Sequence, residues 1–444
     1  IALLVLPLVF TSCSDYLDRD DDDNITEADV FARYEKVNGL VSDVYAAAKK
    51  ADRPLVFFEH FSNSAITDEC EGTNVEGNIT NNFNNGAWNP NSLPGSVGQY
   101  WEALYEGIRK ANLIIENVQK YNTPDNPQQD GDLRNRIGEM YFMRGYFHML
   151  LLRMYGEAPY IDRVINAGDN MDFKKESVHS MVEKIVTDAQ TAYGMVPNKY
   201  VKTSENFGRV DKGACLGLIS FVRWVAATPL WNGASQYGYN LRRVFENEYA
   251  YDATRWRKAK EAAKAVLDFE VGGTKRYSLY TKHDANDFKD PADGNLNDSR
   301  VYARLWDMFY DMDAFANEYV FFMTKSKDQA WQGDIYPPSR EGSSRQQPVQ
   351  EQVDEYEYIV GDYGYPVYSA EARKGGYDDT NPYVKGTRDP RFYRDVIYHG
   401  APYRNNKNES KTINTASGSD KIGATNATTT GYYLRKFQQE SWNK

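Results

Sequence analysis

Amphipathic helices that recur along the first half of the chain limit its possible folds more than any other feature. In YWEALYEGIRKANLIIENVQKY, apolar side chains such as Leu104, Ile108 and Ala111 stand three or four positions apart. This spacing predicts a helix over residues 100–121. The next apolar segment, GEMYFMRGYFHMLLLRMYG, is apolar on most sides, which predicts a helix buried among other helices.

Further segments carry the same pattern. Helices are predicted over residues 177–195, over residues 211–227 and over TRWRKAKEAAKAVLDFE, which Asp252 or Thr254 can cap. The helix starts recur at roughly the spacing of tetratricopeptide units. We therefore predict an all-α fold, a tetratricopeptide-like scaffold of helix pairs.

The chain changes character after about Gly272, where Gly, Asn, Asp, Tyr and Pro become frequent and helical periodicity fades. The stretch EYVFFMT, residues 318–324, predicts a short strand in this part. The remainder predicts long loops, which in compact proteins are usually functional. With no clean linker, residues 25–444 are predicted to form a single helical domain with long inserted loops and a few short strands.

Charge and cysteine content exclude two classes of protein. The net charge of −11 argues against binding a nucleic-acid backbone, which needs concentrated Lys and Arg. With Cys13, Cys70 and Cys215 as the only cysteines, a disulfide-dense scaffold is excluded. A bridge between Cys70 and Cys215 is possible, and two buried thiols are the favoured interpretation.

The chain begins with an apolar run, a cysteine and an acidic run. IALLVLPLVF has the length of a signal-peptide core and is too short to span a bilayer. Thr11 and Ser12 before Cys13 resemble a lipobox, whose cysteine is acylated; a buried strand with an incidental cysteine is the alternative. We predict a signal-peptide remnant over residues 1–12 and a lipidated cysteine with an acidic tether over residues 13–24.

Signatures of common enzymes are missing from the sequence: HExxH, CxxC, GxSxG, GxxxxGK[ST] and GxGxxG do not occur. His148, one turn after Arg144 on the predicted buried helix, is interpreted as a hydrogen-bonded core residue. Carboxylates are plentiful, so counting leaves a glycosidase pair open, but no spacing singles out two of them.

A weak calcium pattern occurs at Asp293, Asn295, Asn297 and Asp298. Asp298 stands where an EF-hand needs Gly, and Arg304 stands where it needs Glu, so an EF-hand is excluded. We predict a solvated loop and no cofactor, with an irregular structural calcium site as the alternative.

Some aromatic residues continue the three- or four-residue apolar spacing of a predicted helix, called here a helical stripe. Trp101 and Trp256 do so and are predicted to lie in the core, and Trp306 and Phe309 are further core candidates.

Other aromatic residues lie in loop sequences and predict a ligand site. Trp88 stands in NNFNNGAWNPNSLPG, and Trp331 stands in KDQAWQGDIYPPSR with Tyr336 close behind. Exposed aromatic rings can stack on the axial C–H groups of a sugar, while nearby amides hydrogen-bond its hydroxyls. The alternative is that each ring fills a gap between loop and helices.

Several motifs, in this order, resemble the SusD/RagB-like outer-membrane nutrient-binding lipoproteins of Bacteroidetes. They are CSDYLD, YWEALYEGIRKANLIIENV, EMYFMRGYFHMLLLRMYGEAPYI, GRVDKGACLGLISFVRWVAATPLW, RWRKAKEAAKAVLD, QEQVDEYE, TRDPRF and GYYLRKF. Each motif alone is loose, but their ordered set covers nearly the whole chain.

The resemblance implies a scaffold of four tetratricopeptide-like helix pairs with a loop-rich ligand face. It implies oligosaccharide capture without catalysis, and delivery to a SusC-like TonB-dependent transporter over which the lipoprotein sits. It also implies a lipid anchor in the outer membrane at the cell surface.

The chain departs from the family pattern after GYYLRKF, where the family continues into further helices, so the C-terminal helices are expected to be missing. Trp88 occupies the place of the starch-binding member's stacking tryptophan, in the loop before YWEALYEGI. Asn89, Asn91 and Arg345 are added to the predicted ligand site as neighbours of Trp88 and Trp331.

The alternative functions predict different binding surfaces. A peptide-binding member of the same family would present polar grooves in place of aromatic platforms. A surface glycosidase would bring two carboxylates to one cleft. An assembly adaptor would bind proteins through its helical face.

Overall fold

The computed structural model describes most of the chain. The described residues are 26–52, 57–58, 61–72, 79–87, 89, 91, 95–121, 127–200, 205–233, 245–281, 308–309, 311, 317–323, 333–384, 387–404 and 410–436. Several predictions lie outside them, namely those on residues 1–24, Trp88, Trp306, Trp331 and the weak calcium pattern at 293–298.

Helices form the larger structural elements. In chain order they are α1 (Glu27–Phe31), α2 (Tyr34–Asp52), α3 (Ile79–Asn84), α4 (Gly95–Tyr121), α5 (Pro127–Tyr155), α6 (Val178–Met195), α7 (Lys212–Ala227), α8 (Ala253–Asp268), α9 (Gln350–Asp354), α10 (Ala370–Lys374) and α11 (Pro390–Asp395). From α4 to α8 each helix packs on the next, and α2 packs on both α4 and α5. This successive stacking confirms the predicted all-α, tetratricopeptide-like scaffold.

The α4 stripe shows why these residues form a helix in this place. Leu104, Ile108 and Ala111 are almost fully buried, while charged residues occupy the opposite side. The helix begins at Gly95, earlier than predicted, and α5 begins at Pro127, a residue that suits the first turn of a helix.

Buried polar groups on α5 join it to its neighbours. The fully buried Glu139 carboxylate accepts hydrogen bonds from Tyr45 (3.0 Å), Tyr200 (2.6 Å) and Arg209 (2.9 Å), and it is also paired with Arg136. Desolvation of the carboxylate is therefore offset by two guanidinium groups and two hydroxyls.

A second buried cluster lies further along α5. Arg144 donates to both carboxylate oxygens of Asp188 on α6, at 2.8 and 2.5 Å. His148 lies 2.8 Å from the Arg144 carbonyl oxygen through Nδ1 and accepts the Ile161 N–H at Nε2 (3.0 Å). Burial lowers the pKa of His148 to about 3, so the ring is neutral. The predicted core histidine is confirmed.

Helix caps confirm the starts predicted for α6, α7 and α8. The cap residues are Ser177, Asp211 and Asp252, whose side chains accept first-turn N–H groups at 3.1, 3.1 and 2.8 Å. Each bond satisfies a donor that would otherwise lack an intrahelical partner.

Glycines allow close packing at two points of the scaffold. A Cβ on Gly107 of α4 would stand 2.5 Å from the Phe147 ring of α5, and one on Gly217 of α7 would stand 2.5 Å from Val320. At Gly145, where the sequence predicted a close approach, a Cβ would find ordinary contacts at 3.5 Å.

Short strands form antiparallel pairs. The strands are β1 (Phe57–Phe58), β2 (Phe61–Ser62), β3 (Cys70–Gly72), β4 (Glu270–Val271), β5 (Thr274–Lys275), β6 (Gln346–Pro348), β7 (Tyr358–Val360), β8 (Tyr363–Tyr365), β9 (Val396–Ile397), β10 (Pro402–Arg404), β11 (Ser410–Thr412) and β12 (Tyr433–Leu434). The pairs β1–β2, β4–β5, β7–β8 and β10–β11 are local in sequence, whereas β3–β6 and β9–β12 join distant segments.

The strand predicted over residues 318–324 is wrong for its described part, since residues 318–323 form no strand. Its apolar side chains pack onto helices. Val320 lies against Gly217, and Phe321 meets the Phe142 and Tyr146 rings with centroids 4.9 and 5.5 Å apart. Burial against α5 and α7 replaces strand pairing.

The core prediction holds for one helical tryptophan and fails for another. Trp101 packs on Tyr105 and Tyr155, with ring centroids 4.9 and 5.0 Å apart. Trp256 is 43% exposed, and its neighbours Arg257 and Lys258 are exposed as well, so the start of α8 is largely open to solvent. Phe309 is partly buried beneath the Arg394 guanidinium, 5.4 Å from its ring centre.

Cys70 and Cys215 are free thiols, as predicted, but only Cys215 is fully buried, whereas Cys70 is partly buried. Among the helices of the described ranges, none is both long and apolar enough to cross a membrane.

Candidate functional site

A β-ladder pairs the segment before the first predicted ligand loop with the segment after the second. Strand β3 follows the 3₁₀ helix Asn63–Ile66 and pairs with β6, in the register Cys70 with Pro348 and Gly72 with Gln346. Residues 79–91 come after β3 in the chain, and residues 333–345 come directly before β6, although the two regions are far apart in sequence.

The first region lies over the 3₁₀ helix. Asn84, at the end of α3, donates through Nδ2 to the Ala65 carbonyl oxygen at 3.2 Å. Asn89 and Asn91 are exposed, and the Asn91 N–H donates to Asn89 Oδ1 at 2.9 Å, forming an Asx turn. Trp88, between α3 and this turn, lies outside the described residues.

The second region is a tightly folded loop before β6. The Arg345 N–H donates to the Asp334 carbonyl oxygen (2.7 Å), and Arg345 Nε donates to Asp334 Oδ1 (3.0 Å). The Arg345 side chain is 28% exposed, so part of the guanidinium faces solvent. Trp331 lies outside the described residues, two positions before Gly333, at which the described loop begins.

Tyr336 does not offer the stacking face that the sequence predicted. Its side chain is 2% exposed, and the Arg340 guanidinium lies 4.6 Å from the centre of its ring. Arg340 also lies 5.3 Å from the Tyr403 ring centre. The loop backbone closes over Tyr336, where a Cβ on Gly342 would clash with the Tyr336 carbonyl group. Tyr336 is therefore a packing residue of the loop.

A third segment supports the ladder from the C-terminal part of the chain. Gln347 of β6, fully buried, accepts hydrogen bonds at Oε1 from the Thr429 N–H (3.2 Å) and hydroxyl (3.0 Å). The Ser339 N–H donates to Asp420 Oδ1 at 2.8 Å. Sequence reasoning missed Gln347 and Arg340, because a lone Gln or Arg in a loop carries no periodic or motif signal.

Two ionisable side chains at this ladder, Arg345 and Cys70, are constrained by their surroundings. Arg345 is paired with Asp334, and burial raises the pKa of the Cys70 thiol to about 12, so Cys70 stays protonated and unreactive. Within the described ranges, no group of three or more His, Cys, Asp or Glu side chains is arranged to hold a metal ion.

An apolar groove elsewhere has the wrong chemistry for a sugar. A groove of about 580 Å³ opens between α5, α7 and α8 and is lined almost entirely by apolar groups, among them Phe221, Trp224 and Leu267. Sugar hydroxyls placed there would lose their water partners without replacement. The exposed Asn89 and Asn91 and the partly exposed Arg345 offer donors and acceptors, so the β3–β6 ladder with these two loops is the candidate site.

Two family models match the chain. SusD-like_3, described as "Starch-binding associating with outer membrane", matches residues 15–222. SusD_RagB, described as the SusD family, matches residues 311–444. Together the matched ranges take up most of the chain.

Individual relatives agree with these models. SusD-like protein P2 of Formosa agariphila is 28% identical over 129 residues, or 29% of this chain, and the match spans only 24% of that curated relative's length. A solved SusD-like protein of Bacteroides fragilis has a TM-score of 0.66 at 17% identity, covering 95% of this chain and 72% of that one. A laminarin-binding SusD-like protein has a TM-score of 0.51 at 15% identity, covering 90% and 72%. At these identities the solved structures show the fold.

Proposed function

Because the chain belongs to the SusD/RagB-like family, we propose that it binds an oligosaccharide at the cell surface and delivers it to a SusC-like TonB-dependent transporter. Its proposed role is binding without catalysis. The ligand face consists of the loops around Trp88 and Trp331, with Asn89, Asn91 and Arg345 as polar neighbours.

The pairing of β3 with β6 is the observation that carries this proposal. The ladder pairs the segment before α3 with the segment that follows the Trp331 loop, and Asn84 at the end of α3 bonds to Ala65 just before β3. A ligand contact shared by residues so distant in sequence requires such a link.

The surrounding groups suit neutral sugar hydroxyls. Two exposed Asn side chains provide donors and acceptors, and a part-exposed Arg345 held by Asp334 provides further donors. Stacking on each indole is expected to contribute about 1–3 kcal/mol, if nucleobase stacking on aromatic residues is a guide. The family models and the laminarin-binding neighbour support a glucan as the first ligand to test.

Anchoring and delivery complete the proposal. Acylation of Cys13 would attach the protein to the outer membrane, and multiple acyl chains would hold it firmly. The description "associating with outer membrane" of the matched family model supports this location.

The ligand face is tested by the double substitution Trp88→Ala, Trp331→Ala. Native gels containing laminarin or amylopectin should retard the unsubstituted protein, and the double variant should lose that retardation. Trp256→Ala is the matched control, because it removes a 43% exposed indole from helix α8, and its retardation should be unchanged. Far-UV circular dichroism confirms that each variant folds.

The outcomes separate the alternatives. Undiminished retardation of the double variant would refute the proposed ligand face. Retention of peptides but of neither glucan would favour a peptide-binding member of the family. Release of reducing ends from either glucan would overturn the non-catalytic role.

A further inference from the structure

Tyr368 is an exposed aromatic residue held in one orientation. Its side chain is 55% exposed, its hydroxyl donates to Asp354 Oδ2 at 3.1 Å, and its ring meets Tyr377 edge-on with centroids 6.0 Å apart. Desolvation and the bond to Asp354 raise the pKa of Tyr368 to about 12, so the hydroxyl stays protonated. A ring restrained in this way loses little side-chain entropy when a ligand binds.

Asp354, which binds the Tyr368 hydroxyl, is itself held by hydrogen bonds that lead into the interior. Gln350 Nε2 donates to Asp354 Oδ1 at 2.7 Å, and Gln350 Oε1 accepts from the Tyr432 hydroxyl at 2.7 Å. Tyr432 is buried and also hydrogen-bonds the Tyr383 hydroxyl. A continuous chain of hydrogen bonds thus runs from the buried tyrosines to the surface.

The buried Arg388 holds the end of α9, from which Asp354 projects. Arg388 is 2% exposed and donates to the carbonyl oxygens of Val353 (2.6 Å) and Tyr356 (2.9 Å). Its guanidinium also lies 4.9 Å from the Phe392 ring centre. Asp354 and Gln350 are therefore presented by a rigid element, as a preorganised binding site requires.

These groups have the chemistry of a sugar contact. The exposed Tyr368 ring can receive the C–H face of a pyranose, and the Asp354 carboxylate and Gln350 amide can hydrogen-bond its hydroxyls. Asp354 hydrogen-bonds the neutral Gln350 and Tyr368. Arg388, whose guanidinium interacts with the Asp354 charge, is 2% exposed and donates to the Val353 carbonyl oxygen. A uronate or a sulfated sugar at the surface would therefore meet the carboxylate and be repelled.

We propose that Tyr368, with Asp354 and Gln350, forms an additional contact site for a neutral glycan. The inference rests on the proposed function, since it assumes a glycan ligand, and it adds that this ligand is uncharged. It assigns binding to a part of the chain outside the two tryptophan loops.

The experiment compares three variants in native gels with increasing laminarin or amylopectin. Tyr368→Ala is expected to weaken the apparent affinity about tenfold, within the range of one stacked aromatic. Tyr368→Phe keeps the ring and should stay within about threefold of the unsubstituted protein, since it loses one exposed hydrogen bond. Tyr363→Ala, which removes another exposed tyrosine (69%), should have no effect. Alginate, a polyuronate, should show no dependence on Tyr368.

Each result has a distinct meaning. Glucan binding that is unchanged in Tyr368→Ala overturns this inference and leaves the proposed function standing. Equal losses in Tyr368→Phe and Tyr368→Ala would also overturn it, because the ring face would then not be the contact. Glucan binding lost in Tyr368→Ala but kept in the double tryptophan variant would support this site and refute the proposed loops. No binding of any glycan by the unsubstituted protein refutes both.

Discussion

At the scale of single residues, the scaffold depends on charges that are buried and compensated along α5. Glu139 is the clearest case, because its fully buried carboxylate is bonded by groups from α2, from α5 itself and from residues 200 and 209. Removing one member of such a cluster leaves the others desolvated and without compensation.

Glu139→Gln should therefore destabilise the protein strongly. The charges of Arg136 and Arg209 would remain buried without their carboxylate, so the free energy of unfolding should fall by about 3–5 kcal/mol. Glu183→Gln is the control, because Glu183 is 55% exposed in its pairs with Arg223 and Lys258, and it should cost at most about 1 kcal/mol. Urea denaturation measures the free energy of unfolding of both variants. Equal losses would contradict the role of Glu139 as the carboxylate that compensates two buried guanidinium groups.

His148 makes stability depend on pH with a defined sign. Its folded-state pKa, about 3, lies below the unfolded value of about 6.5, so the unfolded chain binds the proton first. The stability that neutral His148 contributes to the folded state is fully present above about pH 6.5, and it is lost as the pH falls towards 3.

His148→Gln should flatten this dependence. Between these pH values the slope of unfolding free energy against pH should decrease by up to about 1.4 kcal/mol per pH unit relative to the unsubstituted protein. Denaturation curves at several pH values measure the slopes. Parallel slopes would mean that His148 takes up its proton in the folded state as readily as in the unfolded one.

At the scale of elements, close packing of α4 on α5 depends on a missing side chain. Gly107→Ala would place a methyl group 2.5 Å from the Phe147 ring and should destabilise by about 1–3 kcal/mol. Gly39→Ala on α2 meets open space and should be neutral or stabilising by up to about 1 kcal/mol. Thermal unfolding of the pair measures the difference, and similar melting temperatures would show that the α4–α5 contact can relax.

Sequence patterns predicted the helices well because their signals are local. The stripe through Leu104 and Ile108, and the caps Ser177 and Asp211, lie within the segments that they organise. The same signals cannot show which faces are covered. Trp256 therefore continues a helical stripe and yet is 43% exposed.

Elements that depend on distant partners were not predictable. Residues 318–323 have strand-like composition but pack onto α5 and α7 through Val320 and Phe321. The three residues of β3 become a strand only because β6 lies beside them. In both cases the residues of the segment alone do not determine its structure.

At the scale of the whole molecule, a stack of helices carries a loop-rich part tied together by long-range strand pairs. Sequence reasoning failed at Tyr336, whose burial depends on Arg340 and on the distant Tyr403. The roles of Trp88 and Trp331 stay predictions.

A structure of the protein in complex with laminarihexaose or maltoheptaose would show whether Trp88 and Trp331 bind the glycan. We expect sugar rings against the indoles of Trp88 and Trp331, with carbon atoms within about 4.5 Å of the ring atoms and hydroxyls bonded to Asn89, Asn91 or Arg345. A ligand bound elsewhere on the molecule, with both indoles bare, would contradict it.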